Sequence, residues 1–244
     1  MSLTDTISKL REMRMNGLIN ALDEQKLNSL YASMAFEERL ALLVEQEYLY
    51  RENKRLKRNL SSAKLQQNAC IEDIDFSVTR GINKTTFAQI ATCSFISTKE
   101  NIAISGPTGI GKTFLSCAIA NKVCKLGYTA LYKKTSSLLT ELRIAQADGS
   151  FSKLSRDLRK INLLILDEWL RDPLAPDQAR LILDILDDRY QNSSTLFSSQ
   201  IPLSDWHSLI TDSTIADAIL DRVAHNSVKL VLKGESMRKI LNTK

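Results

Sequence analysis

Residues 106–113 read Gly-Pro-Thr-Gly-Ile-Gly-Lys-Thr, and no other segment restricts the fold of this chain so tightly. Three of its eight glycines fall within these positions. Glycine at that density serves a backbone that must curl tightly and come close to a ligand. An apolar run at 101–105 precedes the segment and a helical stretch at 113–126 follows it. In that strand–loop–helix order, G-x-x-x-x-G-K-[ST] cradles a phosphate chain, because successive N–H groups at a helix N-terminus form an anion-binding nest. Gly106, Pro107, Thr108, Gly109, Ile110, Gly111, Lys112 and Thr113 are therefore the expected ATP-binding residues. Lys112 is expected on the β- and γ-phosphates and the Thr113 hydroxyl on Mg²⁺.

A loop of this kind needs an acidic partner on a neighbouring strand. Leu163-Leu-Ile-Leu-Asp-Glu168 supplies one. Four apolar residues suit a strand buried on both faces, and Asp167 emerges at its C-terminal end, where open α/β sheets bind ligands. Asp167 is expected on the Mg²⁺ side, acting through water, and Glu168 as the base that activates the attacking water. The pair favours hydrolysis over transfer to the hydroxyl of a small molecule. Two alternatives stay open: a small-molecule kinase, and a nucleotide switch that scarcely hydrolyses.

The rest of the chain falls into two parts. Up to about residue 68 there is one glycine, Gly17, and no strand-like run. This part reads as helices at 3–13 and 18–26, broken at Gly17. A long third helix follows, capped by Ser33, whose Leu40, Leu43, Val44 and Tyr48 share one packed side. From 69 to 244, strand candidates at 101–105, 129–133, 162–167, 194–199 and 228–232 alternate with helical stretches such as 113–126 and 177–190. Such alternation predicts a mostly parallel sheet between helices.

Composition excludes whole classes. At 244 residues, 43% hydrophobic and 25% charged, the chain has the mix of a globular protein, not that of a disordered or disulfide-stapled one. Its apolar runs fall far short of the ~20 residues a membrane helix needs. The start of the chain lacks a basic-then-apolar leader, so the expected location is the cytosol. Cys70, Cys93, Cys117 and Cys124 form no C-x-x-C pair, and with only His207 and His225 beside them no zinc cluster is expected. Trp206 and His207 are expected in packing or an interface, and His225 in helix packing.

The net charge of +5 is localised: Arg51, Lys54, Arg55, Lys57, Arg58 and Lys64 stand against Glu52 alone. A second cationic group, Lys153, Arg156, Arg159 and Lys160, has helical spacing, and Lys133 and Lys134 close a strand candidate. These residues are candidate phosphate contacts to double-stranded DNA, binding without reading bases. The alternative is a solvated helix face. Nothing predicts sequence-specific readout or an aromatic ladder for single strands.

Taken in order, GPTGIGKT, LLILDEW, SSQIP, ADAILDRVAHN and GESMRK, with FEERLALLVEQE and RENKRLKR ahead of them, resemble the IstB-like family. These are AAA+ ATP-binding helpers of bacterial insertion sequences, related to DnaC-type helicase loaders. The resemblance implies an α/β AAA+ P-loop NTPase core, with a five-stranded, mostly parallel sheet flanked by helices and a small all-α N-terminal domain before it. It implies copies assembled head to tail in the presence of ATP, gripping double-stranded DNA and assisting a cognate transposase, away from membranes. A DnaC-type loader with a helicase partner is the alternative. Arg222 matches the family's arginine finger, and Arg238 the sensor-2 arginine. Gln200, with Ser199 beside it, is the candidate for sensor-1. An ion pair with Asp217 or Asp221 is the other reading of Arg222. One departure stands out: Trp169-Leu170-Arg171 follows Glu168 where the family has an aromatic residue and then glycine. The missing glycine is expected to stiffen that turn.

Overall fold

The computed structural model describes residues 3–76, 80–224 and 226–237; His225 and Arg238 lie outside the described residues. The chain divides into two compact units, Met1–Arg58 and Asn59–Lys244. The division falls within a helix, ahead of the change in sequence character near residue 70.

The first unit is helical, with α1 (Leu3–Glu12), α2 (Asn16–Leu27) and most of α3 (Phe36–Ala63). Three expectations change here. Gly17 lies inside α2 instead of breaking a helix, because α2 and α3 touch at that point. A Cβ on Gly17 would stand 2.6 Å from Tyr50 Cβ, 2.8 Å from Gln46 O and 2.9 Å from Glu47 Cα. Ser33 closes a short 3-10 turn and does not cap α3; Glu38 instead accepts the Ala35 N–H at 3.2 Å. Of the four residues assigned to one packed side, Leu43 is buried while Leu40, Val44 and Tyr48 are exposed. The face of α3 that meets α2 carries Leu43, Glu47 and Tyr50. Glu47 is buried there, paired with Arg51 and accepting Leu18 N at 3.0 Å, so its carboxylate sits at the positive end of α2. Burial pushes the Glu47 carboxyl up, but Arg51 and the backbone N–H groups outweigh that and hold it below the usual range.

The second unit is a three-layer α/β structure. After α4 (Lys84–Ala91) and α5 (Phe95–Thr98) the chain enters β1 (Asn101–Ser105) and α6 (Lys112–Lys125). It continues through β2 (Ala130–Lys134), α7 (Thr135–Ala147), α8 (Phe151–Lys160), β3 (Leu163–Trp169), α9 (Pro176–Arg189), β4 (Ser194–Ser199), α10 (Ser213–Ala224) and β5 (Ser227–Val231). The sheet order is β2-β3-β4-β1-β5, and every pairing is parallel. The five strands expected from alternation are present, each within two residues of its expected bounds. No helix among the described residues is long and apolar enough to cross a membrane.

Two packing features fix the ends of β3. Near its start, the buried Arg189 donates to the carbonyl oxygens of Leu158, Ile161 and Ser194 and to Thr195 Oγ1, joining α8, β3 and β4. At its far end Trp169 is fully buried, with ring centroids 5.0 Å from Phe197 and 5.8 Å from Trp206. Such edge-on pairs add about 0.5–1.5 kcal/mol each beyond the area they bury. Trp206 thus belongs to the core, its Nε1 bonded to Ile201 O at 3.0 Å, while His207 faces Asp217 at 3.2 Å.

Replacing Gly17 with alanine tests the α2–α3 contact. Alanine favours a helix interior by ~1 kcal/mol over glycine, but the atoms its Cβ would meet are mostly backbone and cannot swing away. Overpacking of that kind costs about 1–3 kcal/mol. The expected result is weaker hydrogen-exchange protection across α2 and the facing part of α3. Stronger protection would mean that the helices do not meet there.

Candidate active site

The phosphate loop joins β1 to α6, and its glycines adopt the conformations for which they are needed. Gly109 has φ +81° and Gly111 φ +101°. Crowding adds a second constraint: Leu232 O would stand 2.6 Å from a Cβ on Gly106, and Ser236 Oγ 2.3 Å from one on Gly109. The chain after β5 therefore lies directly on the loop, and Met237 N donates to Gly109 O at 2.9 Å. Lys112 bends back over its own loop, donating to Gly106 O at 2.7 Å and Pro107 O at 2.9 Å. Burial pulls its ammonium below the usual lysine range, and the nearby charge of Asp167 opposes that shift.

A bulge delivers the acidic pair. Leu166 pairs with Phe197 but Trp169 pairs with Ser199, so β3 holds one residue more than β4 across this interval. The extra residue interrupts the pairing with β4 at Asp167 and Glu168, while Asp167 stays paired with Lys134 of β2; bulges next to active sites re-aim side chains in this way. Asp167 is buried and gathers donors: Thr113 Oγ1 at 2.8 Å and Tyr132 OH at 2.6 Å reach Oδ2, and Glu168 N reaches Oδ1 at 2.9 Å. The Tyr132 hydroxyl also meets the Gln66 side-chain oxygen, so its single hydrogen faces two acceptors, Gln66 Oε1 and Asp167 Oδ2. Burial and the Asp167 bond push the Tyr132 phenol well above its usual range, so it stays a donor.

Glu168 sits at φ +56°. Its two carboxylate oxygens are held apart by two cations, Lys134 Nζ at 3.0 Å and Arg171 Nη1 at 2.8 Å. Across the site, Thr108 Oγ1 donates to Gln200 Oε1 at 2.8 Å. Ser199 is occupied elsewhere, donating to Trp169 O at 2.7 Å and accepting Ile201 N. The Gln200 side chain thus meets the loop, whereas Ser199 meets it only through its carbonyl, which accepts Gly106 N at 3.2 Å.

Thr108, Gly109, Lys112, Thr113, Asp167, Glu168 and Gln200 line one cavity of about 650 Å³ together with Arg80, Ser198 and Met237. Ser198 Oγ is buried without a partner among the described residues. A hydroxyl and a carboxylate 2.8 Å apart beside a lysine suit a hard divalent cation on a phosphate chain, and the residues fit Mg²⁺ in that sense.

The remaining sequence candidates lie outside this cavity. Arg222, on α10, pairs with Asp187 of α9, rather than with Asp217 or Asp221, and donates to Ala218 O. Lys153, Arg156, Arg159 and Lys160 are exposed on α8, which buries Ser155 and Leu158 on its other side. Lys133 is engaged with Glu141, as Lys134 is with Glu168. Sequence reasoning missed Tyr132, Gln66, Arg80, Ser198 and Arg171. Strand register alone brings Tyr132 to Asp167, and no spacing in the sequence signals it.

A parallel sheet in this order, with a phosphate loop after β1 and an Asp-Glu pair near the end of β3, is the P-loop NTPase fold of the AAA+ type. Residues 8–244 match the family described as IstB-like ATP binding protein, and the chain belongs to that family. It is 38% identical over 234 residues to an insertion sequence ATP-binding protein of Sinorhizobium fredii, covering 96% of each chain. It is 40% identical over 200 residues to the insertion sequence IS1162 ATP-binding protein of Pseudomonas fluorescens, covering 82% of this chain and 87% of that one. Its fold is similar to that of DnaI (TM-score 0.57, 20% identity, covering 68% of this chain and 92% of that one). It is also similar to the DnaC helicase loader (TM-score 0.53, 19% identity, 71% and 98%).

The turn after Glu168 departs from the family pattern, and the structure shows how. Leu170 takes φ +51° and is 1% exposed. A left-handed non-glycine residue costs about 1–2 kcal/mol, whereas losing a buried leucine side chain costs about 2–5 kcal/mol. Leu170→Gly is therefore expected to lower stability in denaturant titrations in spite of the relieved backbone. A gain in stability would show that strain, not burial, dominates this turn.

Proposed function

We propose that this chain hydrolyses ATP, that its copies assemble head to tail on double-stranded DNA, and that the assembly assists a transposase in moving an insertion sequence. The observation that carries the hydrolytic part is the meeting of Thr113 and Asp167 at 2.8 Å, with Glu168 next in the chain and Lys112 beside them. Family membership supports the insertion-sequence part.

In this reading Lys112 leaves the Gly106 and Pro107 carbonyls for the β- and γ-phosphates. The Thr113 hydroxyl and, through water, the Asp167 carboxylate hold Mg²⁺, which supplies charge neutralisation on the phosphate chain. Glu168 orients and deprotonates the attacking water once it parts from Lys134 and Arg171. Gln200, already bonded to Thr108, senses the γ-phosphate. Arg222 gives up Asp187 and reaches the γ-phosphate bound by the neighbouring copy, where a trans arginine adds ~10³–10⁵ in rate. Arg238 is the proposed sensor-2 cation of the same copy. The exposed cations of α8, Lys153, Arg156, Arg159 and Lys160, are the first candidates for DNA phosphates. Lys133 and Lys134 are second, since each must leave a carboxylate first. The helical N-terminal domain, proposed as 1–68, serves partner docking, with the Arg51 to Lys64 cations available to DNA or transposase.

Lys112→Ala is expected to abolish ATP binding, whereas Glu168→Gln keeps binding and loses about 10²–10⁴ in turnover. Equal turnover in wild type and Glu168→Gln would leave a nucleotide switch. Mixing Glu168→Gln with Arg222→Ala tests the trans arginine. Neither alone hydrolyses, but a mixed assembly contains interfaces with both residues intact and recovers activity. Absence of recovery removes Arg222 from the site. Gel filtration with ATP and DNA checks the assembly, and a strict monomer under all conditions overturns it.

A further inference from the structure

Among the described residues of the second unit two guanidinium groups are buried, and they are satisfied very differently. Arg189 has every nitrogen on an acceptor: three carbonyl oxygens and a threonine hydroxyl. Arg80 is 4% exposed, yet among the described residues its side chain makes a single hydrogen bond, from Nη2 to Asp75 O at 2.7 Å. Its Nε is buried with no acceptor among the described residues.

The position of Arg80 is fixed independently of any ligand. Its carbonyl accepts Lys233 N at 2.8 Å, tying it to the chain that leaves β5. From there the side chain reaches the phosphate loop, with Nη1 3.1 Å from the point where a Cβ on Gly111 would lie. It lines the same cavity as Lys112 and Thr113. A buried cation with an unfilled N–H is unfavourable unless something completes it. Nη1, which has no hydrogen bond among the described residues, is the nitrogen that lies at Gly111; an acceptor in that cavity, best an anionic one, would complete the guanidinium beside the Asp75 charge that already acts on it.

We propose that Arg80 is a nucleotide-binding residue whose guanidinium donates to the phosphate chain from the Gly111 side of the loop, as a second cation beside Lys112. This rests on the reading of the cavity as the ATP site. A phosphate oxygen suits the planar donor and also neutralises it, which an uncharged ring nitrogen of the base does not. No hydrogen bond joins Arg80 to Asp167, Glu168 or Gln200 among the described residues. Its contribution is therefore to affinity, shared by ATP and ADP. Sequence motifs do not reveal it, because Arg80 stands well before the loop, outside the G-x-x-x-x-G-K-[ST] pattern.

The test uses the full chain carrying Arg80→Met or Arg80→Lys, with Lys112→Ala as reference. Binding is read by displacement of a fluorescent ATP analogue by ATP, ADP and inorganic tripolyphosphate, and by thermal unfolding with and without ATP. Arg80→Met is expected to weaken all three ligands about 10- to 100-fold, with Arg80→Lys in between. Without nucleotide, Arg80→Met melts at or above the wild-type temperature, because an unfilled buried charge has gone; its ATP-induced rise in Tm shrinks. Unchanged affinities overturn the proposal. So does a lower melting temperature without nucleotide combined with wild-type affinity, which marks a packing role. Weakened ATP with unaltered tripolyphosphate places Arg80 at the base and overturns the phosphate assignment. If wild type binds neither nucleotide, the ATP reading itself falls; if wild type binds, Lys112→Ala does not and Arg80→Met does, only Arg80 is removed.

Discussion

The 2.8 Å contact between Thr113 and Asp167 joins the first residues of α6 to the end of β3, two elements separated in the sheet by β4. Everything else at the site is arranged around it. The bulge between Leu166 and Trp169 releases Asp167 from β4 while β2 still pairs with it, and the buried Trp169, Phe197 and Trp206 rings pack at the bulge. Tyr132 then closes the far side of the carboxylate from β2. A carboxylate receiving three donors cannot wander, so this side of the cavity is set before any ligand arrives. The proposed hydrolysis would use that preorganisation, since phosphoryl transfer asks a protein mainly for positioning and charge.

The charged groups in and near the site are held by side-chain contacts. Lys112 rests on two carbonyls of its own loop, Glu168 lies between Lys134 and Arg171, and Arg222, outside the cavity, is paired with Asp187 and donates to Ala218 O. The phosphate loop, by contrast, is wedged by Leu232 and Ser236 against its glycines and cannot relax far. A rigid cradle with exchangeable ion pairs around it can respond to ligands through its side chains while the fold stays fixed.

Legibility in the sequence followed locality. The phosphate loop, the strand LLIL and the Asp-Glu pair after it depend on neighbours within about eight residues, and each was readable from residue type and spacing. The five strands were readable for the same reason. Leu40, Val44 and Tyr48 show where this stops: their helical spacing is apolar, but which face of α3 meets α2 is settled by the absence of a side chain at Gly17. Gln200 against Ser199 was likewise undecidable from the segment SSQ. It turns on which side chain the Trp169 carbonyl captures.

By itself, the sequence determined the class of chemistry, because glycines at fixed spacing, one lysine, one threonine and an acidic pair are a local code for a phosphate cradle. Tertiary structure alone decided which distant residues complete that cradle. Ser198 and Arg80 reach the cavity, and Tyr132 reaches Asp167 behind it, through strand register, through a bulge one residue long and through the close passage of the chain after β5. Those depend on packing between segments far apart in the chain, and no spacing along the sequence encodes them.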